Sequence, residues 1–462
     1  PGTSHFSSSS LTGTGPPNSA EERQGGAELL ATGGEMLPVN HEGLELKAVG
    51  TVEKGDAAQL LEEGKPAPPT YCGKITNGAR ANGPPQLPIV YSAWSFLGAM
   101  AGMSAIGLLH TYVMLPQEHM VLLVGAFGAM SVIVFSAYKA PVAQPYNVVV
   151  GNTLGGIAGV AVFKSMEAAG IHSMVWFGAG LSVSLTIVLQ ELTASVHPPG
   201  GATALIYVCT PPVQAMGWKY VLCPSLLGAV IMVLVACATN NLAPDRTYPQ
   251  YWWGNSELAR KASSVPTSEA GVCPSCVVGY LGKFKGANAE PAPKPPLAQT
   301  WNSWLGSFVG MCAIGLTHQY VIAKYMHEAL LIGALGAVSV LVFSAWKVPF
   351  AQPKNVIVGN TLGGFVGVST FNALQLLGLG SHVWLGAALS VALTILAQEL
   401  TNTVHPPGGA TALIFEIMPK FHALQYAFVL TPSCLGPVIL VGVGLLTNNL
   451  VGARSYPQYW WP

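Results

Sequence analysis

Apolar positions in this chain come in long blocks rather than with the short alternation of a strand or the one-sided stripe of a surface helix. In the first half the blocks cover residues 92–114, 120–138, 147–168, 173–193 and 218–241. A second series follows at 301–322, 328–346, 355–376, 381–401 and 426–449. Each is close to the roughly 20 residues that a helix needs to cross the hydrocarbon core of a bilayer. Residues 1–90 differ: they are rich in Gly, Ser, Pro and Glu, hold no sustained apolar period, and read as a low-complexity tail too poor in apolar surface to offset ordering. A polar stretch at 254–300 separates the two series. The predicted architecture is all-α, a polytopic transmembrane helical bundle made of a tail (1–90), a first membrane repeat (91–253), a linker (254–300) and a second membrane repeat (301–462).

The two series are copies. His197 and His405 lie 208 residues apart, and the same spacing separates Asn152 from Asn360, Gln144 from Gln352, Glu191 from Glu399, His110 from His318 and Tyr248 from Tyr456. No gap is needed to keep that register, so one unit of about five helices has been duplicated. Five spans per unit, an odd number, would place the second copy upside down, an inverted repeat of the kind many transporters build around a midplane site. If one segment is only re-entrant, the copies are parallel; the inverted arrangement is the expectation.

Composition agrees with a membrane protein. Of 462 residues, 51% are hydrophobic and 9% charged, against about 25% charged in soluble domains. Between Ser92 and Leu242 the charged residues are Glu118, Lys139, Lys164, Glu167, Glu191 and Lys219 alone. With a net charge of zero and no basic run, nothing points to a nucleic-acid partner, and none is expected. Four of the eight cysteines lie in apolar blocks, and the set does not read as a disulfide framework; the single CxxC, "CPSC" at 273–276, reads as two incidental thiols in the linker in preference to half a zinc site or a local redox pair. The chain starts at Pro1 rather than Met, as removal of an organelle-targeting leader would leave it.

The chemistry concentrates in "QELTASVHPPGGATALI" at 190–206 and "QELTNTVHPPGGATALI" at 398–414. Proline breaks a helix interior but suits the first turn of a new helix, so the backbone must break, or re-enter, at Pro198–Pro199 and Pro406–Pro407. Irregular backbone at membrane depth survives only inside protein or beside a wet cavity. A helix starting there would aim free N–H groups and its positive dipole end into that cavity, favouring an anion by about 0.3–2 kcal/mol. "VGNTLGG" at 150–156 and 358–364 offers a second exposed backbone of this kind. A small-anion site is therefore expected from His197, Pro198, Pro199, Gly200, Gly201 and Thr203 with Asn152, Thr153 and Glu191. Its repeat is expected from His405, Pro406, Pro407, Gly408, Gly409 and Thr411 with Asn360, Thr361 and Glu399. Glu191 and Glu399 act either as proton-relay carboxylates or as buried structural acceptors, since an ionised carboxylate facing lipid costs about 2.5 kcal/mol or more.

Other repeated polar positions carry plainer readings. Lys139 and Lys347 are interfacial lysines that snorkel to the headgroups, His110 and His318 are interfacial, and "YPQYWW" at 248–253 and 456–461 is an aromatic belt. No serine–histidine–acid set, P-loop, dinucleotide turn or HExxH helix occurs, so the chain is not expected to be an enzyme; no metal or other cofactor is expected either.

With its two HPP motifs, "GATALI" and "VGNTLGG", the sequence resembles the HPP family of integral membrane proteins over both repeats. That resemblance implies a compact helical unit, usually described with four spanning helices. From plant and cyanobacterial members it implies nitrite transport across a plastid envelope or plasma membrane. Two fused units depart from the single-unit pattern. The expected function is a channel or secondary transporter for a small monovalent anion such as nitrite. Its setting would be an organelle membrane, with a plastid envelope or thylakoid favoured over the mitochondrial inner membrane. The alternative is an accessory subunit of a large respiratory or photosynthetic complex, contacted by the N-terminal tail and keeping the fold as a scaffold.

Overall fold

The computed structural model describes residues 70–79, 81–253, 276–287, 289–326 and 329–461. The tail before Thr70, with the complex contact expected of it, lies outside the described residues, as do residues 254–275 of the linker, Cys273 of the CPSC pair among them. No strand is present among the described residues.

A short helix α1 (Tyr71–Asn77) precedes the first repeat, which comprises α2 (Ile89–Glu118), α3 (Ala126–Ser136), α4 (Asn147–Ala168), α5 (Val175–Leu192), α6 (Pro198–Cys209) and α7 (Val221–Asn240). Another short helix, α8 (Cys276–Lys283), leads to α9 (Leu297–Met326), α10 (Ala334–Phe343), α11 (Asn355–Leu376), α12 (Val383–Leu400), α13 (Pro406–Ile417) and α14 (Ala427–Asn448). Eight of these helices are long and apolar enough to cross a bilayer, four in each repeat. The chain is thus an integral membrane protein, and exposed leucines such as Leu97, Leu222, Leu234 and Leu446 present apolar side chains outward, as lipid requires.

The expected five spans per repeat become four long helices and two short ones. The block at 120–138 is split: His119 takes a left-handed conformation (φ 50°) that ends α2, residues 120–124 are not helical, and only Ala126 onward is helical. The second short helix is the one that the prolines start. His197 is extended (φ −145°, ψ 104°) as its N-cap, and Pro198 and Pro199 fill the first turn, where a missing N–H costs nothing.

The copies are parallel, which corrects the inverted expectation. One face of the bundle gathers the start of α2, the end of α3, the starts of α4 and α6, and the ends of α5 and α7. Arg246, just past α7, donates to the carbonyls of Tyr91 and Phe135, and Asn147 at the start of α4 donates to Val196 between α5 and α6. Six segments, an even number, return the chain to the face it started from. The second repeat presents the same face: Gln86 before α2 donates to Leu400 at the end of α12, Asn402 donates to Pro84, and at the far end of that antiparallel pair Gly107 meets Trp384.

The repeats interlock rather than sit side by side. α2 packs on α12 and α9 on α5, while the short α3 packs on α13 and α10 on α6. Met103 and Ile106 therefore share one buried cluster with Val391 and Ile395 of the other copy. The end of each copy is tied down by a helix outside it. Lys74 of α1 donates to the carbonyls of Val451, Gly452 and Arg454, and Lys283 of α8 to those of Asn241, Ala243 and Pro244. The "YPQYWW" segments are only partly a belt: Trp253 and Trp461 are exposed, but Tyr248 and Tyr456 are fully buried, donating to Ala143 and Ala351.

After α5 the chain turns through Ala194 with φ 53°, where the second copy has Asn402 at φ 51°. A left-handed alanine costs roughly 1–2 kcal/mol, whereas asparagine and glycine adopt that region readily. Ala194→Gly is expected to raise stability by up to about 1 kcal/mol after the glycine's extra unfolded-state freedom is subtracted. Thermal denaturation of the detergent-solubilised protein checks this.

Candidate functional site

Each HPP segment is held by the glutamine that precedes its glutamate. Gln190 Nε2 donates to the carbonyls of Gly151 (2.9 Å) and His197 (2.8 Å), and its Oε1 accepts from the His197 N–H (3.2 Å). Gln398 does the same for Gly359 and His405. His197 Nδ1 lies 2.8 Å from the Val142 carbonyl and His405 Nδ1 2.8 Å from that of Phe350. A carbonyl only accepts, so Nδ1 carries the hydrogen in both rings. The opposite nitrogen, Nε2, has no partner in either.

Asn152 and Thr203 form the next layer. The Thr203 hydroxyl donates to Asn152 Oδ1 (2.7 Å), and Asn152 Nδ2 donates to the Ser225 carbonyl (2.7 Å). Thr411, Asn360 and Ser433 repeat this arrangement. Thr153 and Thr361 instead turn back onto their own helix, donating to Val149 and Ile357.

The motif glycines serve close packing. A Cβ on Gly155 would stand 2.0 Å from the Gly200 carbonyl oxygen, and one on Gly201 2.5 Å from that of Gly336. The Gly200 N–H is already bonded to the His197 carbonyl at 2.9 Å. The predicted residues His197, Pro198, Pro199, Gly200, Gly201, Thr203 and Asn152 are therefore brought together, and so are His405, Pro406, Pro407, Gly408, Gly409, Thr411 and Asn360. All are fully buried, and none lines the central cavity.

Glu191 and Glu399 are each 2% exposed; Glu191 Oε2 and both Glu399 oxygens have no hydrogen-bond partner. The arginines that face them come from the other copy, Arg454 toward Glu191 and Arg246 toward Glu399, each pair crossing the repeat boundary without reaching the 4 Å of an ion pair. The interlocking of α2 with α12 and of α9 with α5 produces that cross-pairing. Both arginines escape notice in the sequence, although they recur at the 208-residue spacing; the same signal would have found Gln190 and Gln398.

The central cavity, about 520 Å³, lies between the repeats at the face opposite the HPP histidines. Its lining comes in pairs related by the repeat: Leu123 and Leu331, Gly125 and Gly333, Ile206 and Ile414, Pro211 and Pro419. Gly125 and Gly333 precede α3 and α10, so the helix N-termini that reach the cavity belong to these two helices, and no side chain caps either. The HPP helices α6 and α13 contribute their C-terminal ends instead. Among the polar lining residues are His110, Thr210 and Lys420. His110 is thus a cavity residue rather than an interfacial one, with Nδ1 accepting from the Leu122 N–H. Lys139 and Lys347 are exposed beside Tyr138 and Trp346 and do not line the cavity.

Comparison with known proteins agrees with this two-copy organisation. The family described as "HPP, transmembrane region" matches residues 84–249 and again 292–457. A transmembrane protein of Dictyostelium discoideum is 37% identical over 186 residues, covering 40% of this chain and 64% of the relative. A second from the same organism is 38% identical over 184 residues, covering 40% and 58%. The matched part therefore spans less than two thirds of either relative. No solved structure gives a significant match. With the motif, its hydrogen-bonded setting and the family match all occurring twice, the chain belongs to the HPP family of transmembrane proteins and carries two copies of its membrane region.

Proposed function

We propose that this chain is a transporter or channel for a small monovalent anion, nitrite among the candidates, which enters through the central cavity. The observation that carries this reading is the cavity itself, built by both repeats and lined by Gly125 and Gly333 at two helix N-termini that no side chain caps and by the Lys420 ammonium. Helix N-termini favour negative charge, and a lysine on the rim raises the local anion concentration. The paired α3–α13 and α10–α6 contacts close the bundle beyond the cavity, as a gate between two faces would. Nitrite, and a plastid or other organelle membrane as the setting, follow from the resemblance to plant and cyanobacterial members.

Anion uptake into proteoliposomes tests the reading. Thr210→Trp, which fills the cavity at a half-exposed position, is expected to lower nitrite flux at least tenfold; Lys420→Ala is expected to lower it several-fold and to weaken its dependence on ionic strength. Wild-type vesicles without flux, or both variants at wild-type rates, would refute it.

A second reading, a scaffold subunit of a larger membrane complex, is favoured by the inward packing of the HPP residues away from the cavity. Comigration with a large assembly on native gels after mild extraction would support it, and migration as a lone monomer would oppose it.

A further inference from the structure

The two repeats share their HPP core but differ at one end. Where the first repeat has Val208, Met174, Pro212 and Gln214, the second has Glu416, His382, Lys420 and His422. Three of these replacements, Glu416, His382 and His422, line a pocket of about 160 Å³ formed by α11, α12, the end of α13 and the connector after it, and the fourth, Lys420, lines the adjoining central cavity. Glu416 is 8% exposed, its Oε1 has no hydrogen-bond partner, and its Oε2 rests where a side chain on Gly386 would have to go, 2.5 Å from that Cβ position. In the first repeat the matching Gly178 meets Val208 and Met166 instead. A carboxylate therefore occupies a place that was built for hydrocarbon.

The pocket leads outward from Glu416. His422 is half-buried, with Nε2 donating to the Phe415 carbonyl at 2.8 Å and its ring on Phe371 at 4.0 Å between centroids. That bond leaves Nδ1 as the nitrogen able to take a proton. His382, just before α12, is exposed, and so is Gln375 of α11. Inward, the pocket shares Val383, Ile417 and Pro419 with the central cavity, so one layer of side chains separates them. The titratable groups around Glu416 are His382, at the start of α12, and His422, on the connector. Lys420, on the same connector, lines the adjoining cavity. α11 supplies Gln375 and Phe371, neither of which titrates.

We propose that Glu416 is a proton-binding site belonging to the second repeat alone, loaded through His382 and His422 and coupled to the occupant of the central cavity. A proton from an imidazolium or from water adds to Oε1 and gives the neutral acid; the reverse transfer releases it. A buried carboxylate without a partner takes up a proton readily because ionisation is what its surroundings oppose. The anion and the proton would then move together, with charge compensated. This coupling rests on the transport reading above, whereas the proton site stands by itself.

Two measurements on the full chain in vesicles separate the two. Infrared difference spectra across a pH step are expected to show a buried carboxylic acid signal in the wild type that disappears in Glu416→Gln and in Glu416→Val, the latter restoring the residue of the first repeat. A pH gradient, acid outside, is expected to accelerate nitrite uptake several-fold in the wild type and not at all in either variant, while uptake at equal pH persists. A carboxylic acid signal that survives both substitutions, or gradient-driven uptake unchanged in both, would overturn the proposal. A signal lost in the variants together with absent uptake in every protein would keep the proton site and defeat the transport reading.

Discussion

Gly128→Leu is expected to abolish recovery of folded, monodisperse protein. α3 and α13 run antiparallel and touch backbone to backbone at this residue: a Cβ there would stand 2.2 Å from the Gly409 carbonyl oxygen and 2.8 Å from the Ala410 nitrogen. The partner atoms are main chain and cannot rotate away, so the helices themselves must separate. Membrane helices draw their association from such close packing of small residues, since lipid offers no hydrophobic incentive to pair. Alanine alone would cost about 1–3 kcal/mol as overpacking, and leucine more, which approaches the whole marginal stability of about 5–15 kcal/mol. Gly336 meets Gly201 in the same way across the other half of the interface, so Gly336→Leu should fail alike. Gly442→Leu is the control, because a Cβ on Gly442 meets nothing within 4 Å. Size-exclusion profiles of detergent-solubilised variants decide: a monodisperse Gly128→Leu peak would mean that this crossing does not hold the repeats together.

Arg246→Met is expected to destabilise the protein by about 3–5 kcal/mol, the usual result of removing one side of a buried polar network. The guanidinium is 1% exposed and ties three helices, α2, α3 and α7. Its Nη1 donates to the Phe135 carbonyl (2.8 Å) and Asn240 Oδ1 (3.1 Å), and its Nη2 to Ser95 Oγ (3.0 Å) and the Tyr91 carbonyl. Methionine fills the volume but leaves those acceptors without donors. A lysine donates from one nitrogen and cannot span both sets of acceptors, so Arg246→Lys should recover only part of the loss. Arg454→Met should behave alike, since Arg454 holds Phe343, Asn448, Ser303 and Gln299 in the repeated geometry. Thermal denaturation of the three variants measures this, and wild-type stability in Arg246→Met would contradict the assigned role.

Much of the architecture was legible because its causes are local. Apolar length marks the long helices, and the proline pair marks the start of α6 and of α13. The 208-residue register shows the duplication with no structural information at all. What misled was the block at 120–138, whose uninterrupted hydrophobicity reads as one span. The chain from 120 to 124 is not helical there, with residues 122–124 buried by neighbours, and hydropathy does not distinguish lipid-facing from protein-facing apolar chain. That one segment left the number of full-length helices open, and the two short helices together make the parallel copies.

The candidate site shows the same division. His197, Asn152 and Thr203 were recognisable as a set because they recur, and they do meet. That they meet as a buried clamp depends on contacts up to 55 positions apart within one repeat, and that the cavity lies at the opposite ends of the same helices depends on contacts between the repeats, such as Gly201 with Gly336 and Gly128 with Gly409. Composition, periodicity and repetition by themselves determined that this is a helical membrane protein made of two equal units with a break at each HPP motif. Which copy faces which way and where a cavity opens between them were decided only when the units interlocked, because close packing of distant backbones, unlike helix formation, has no signature in neighbouring residues.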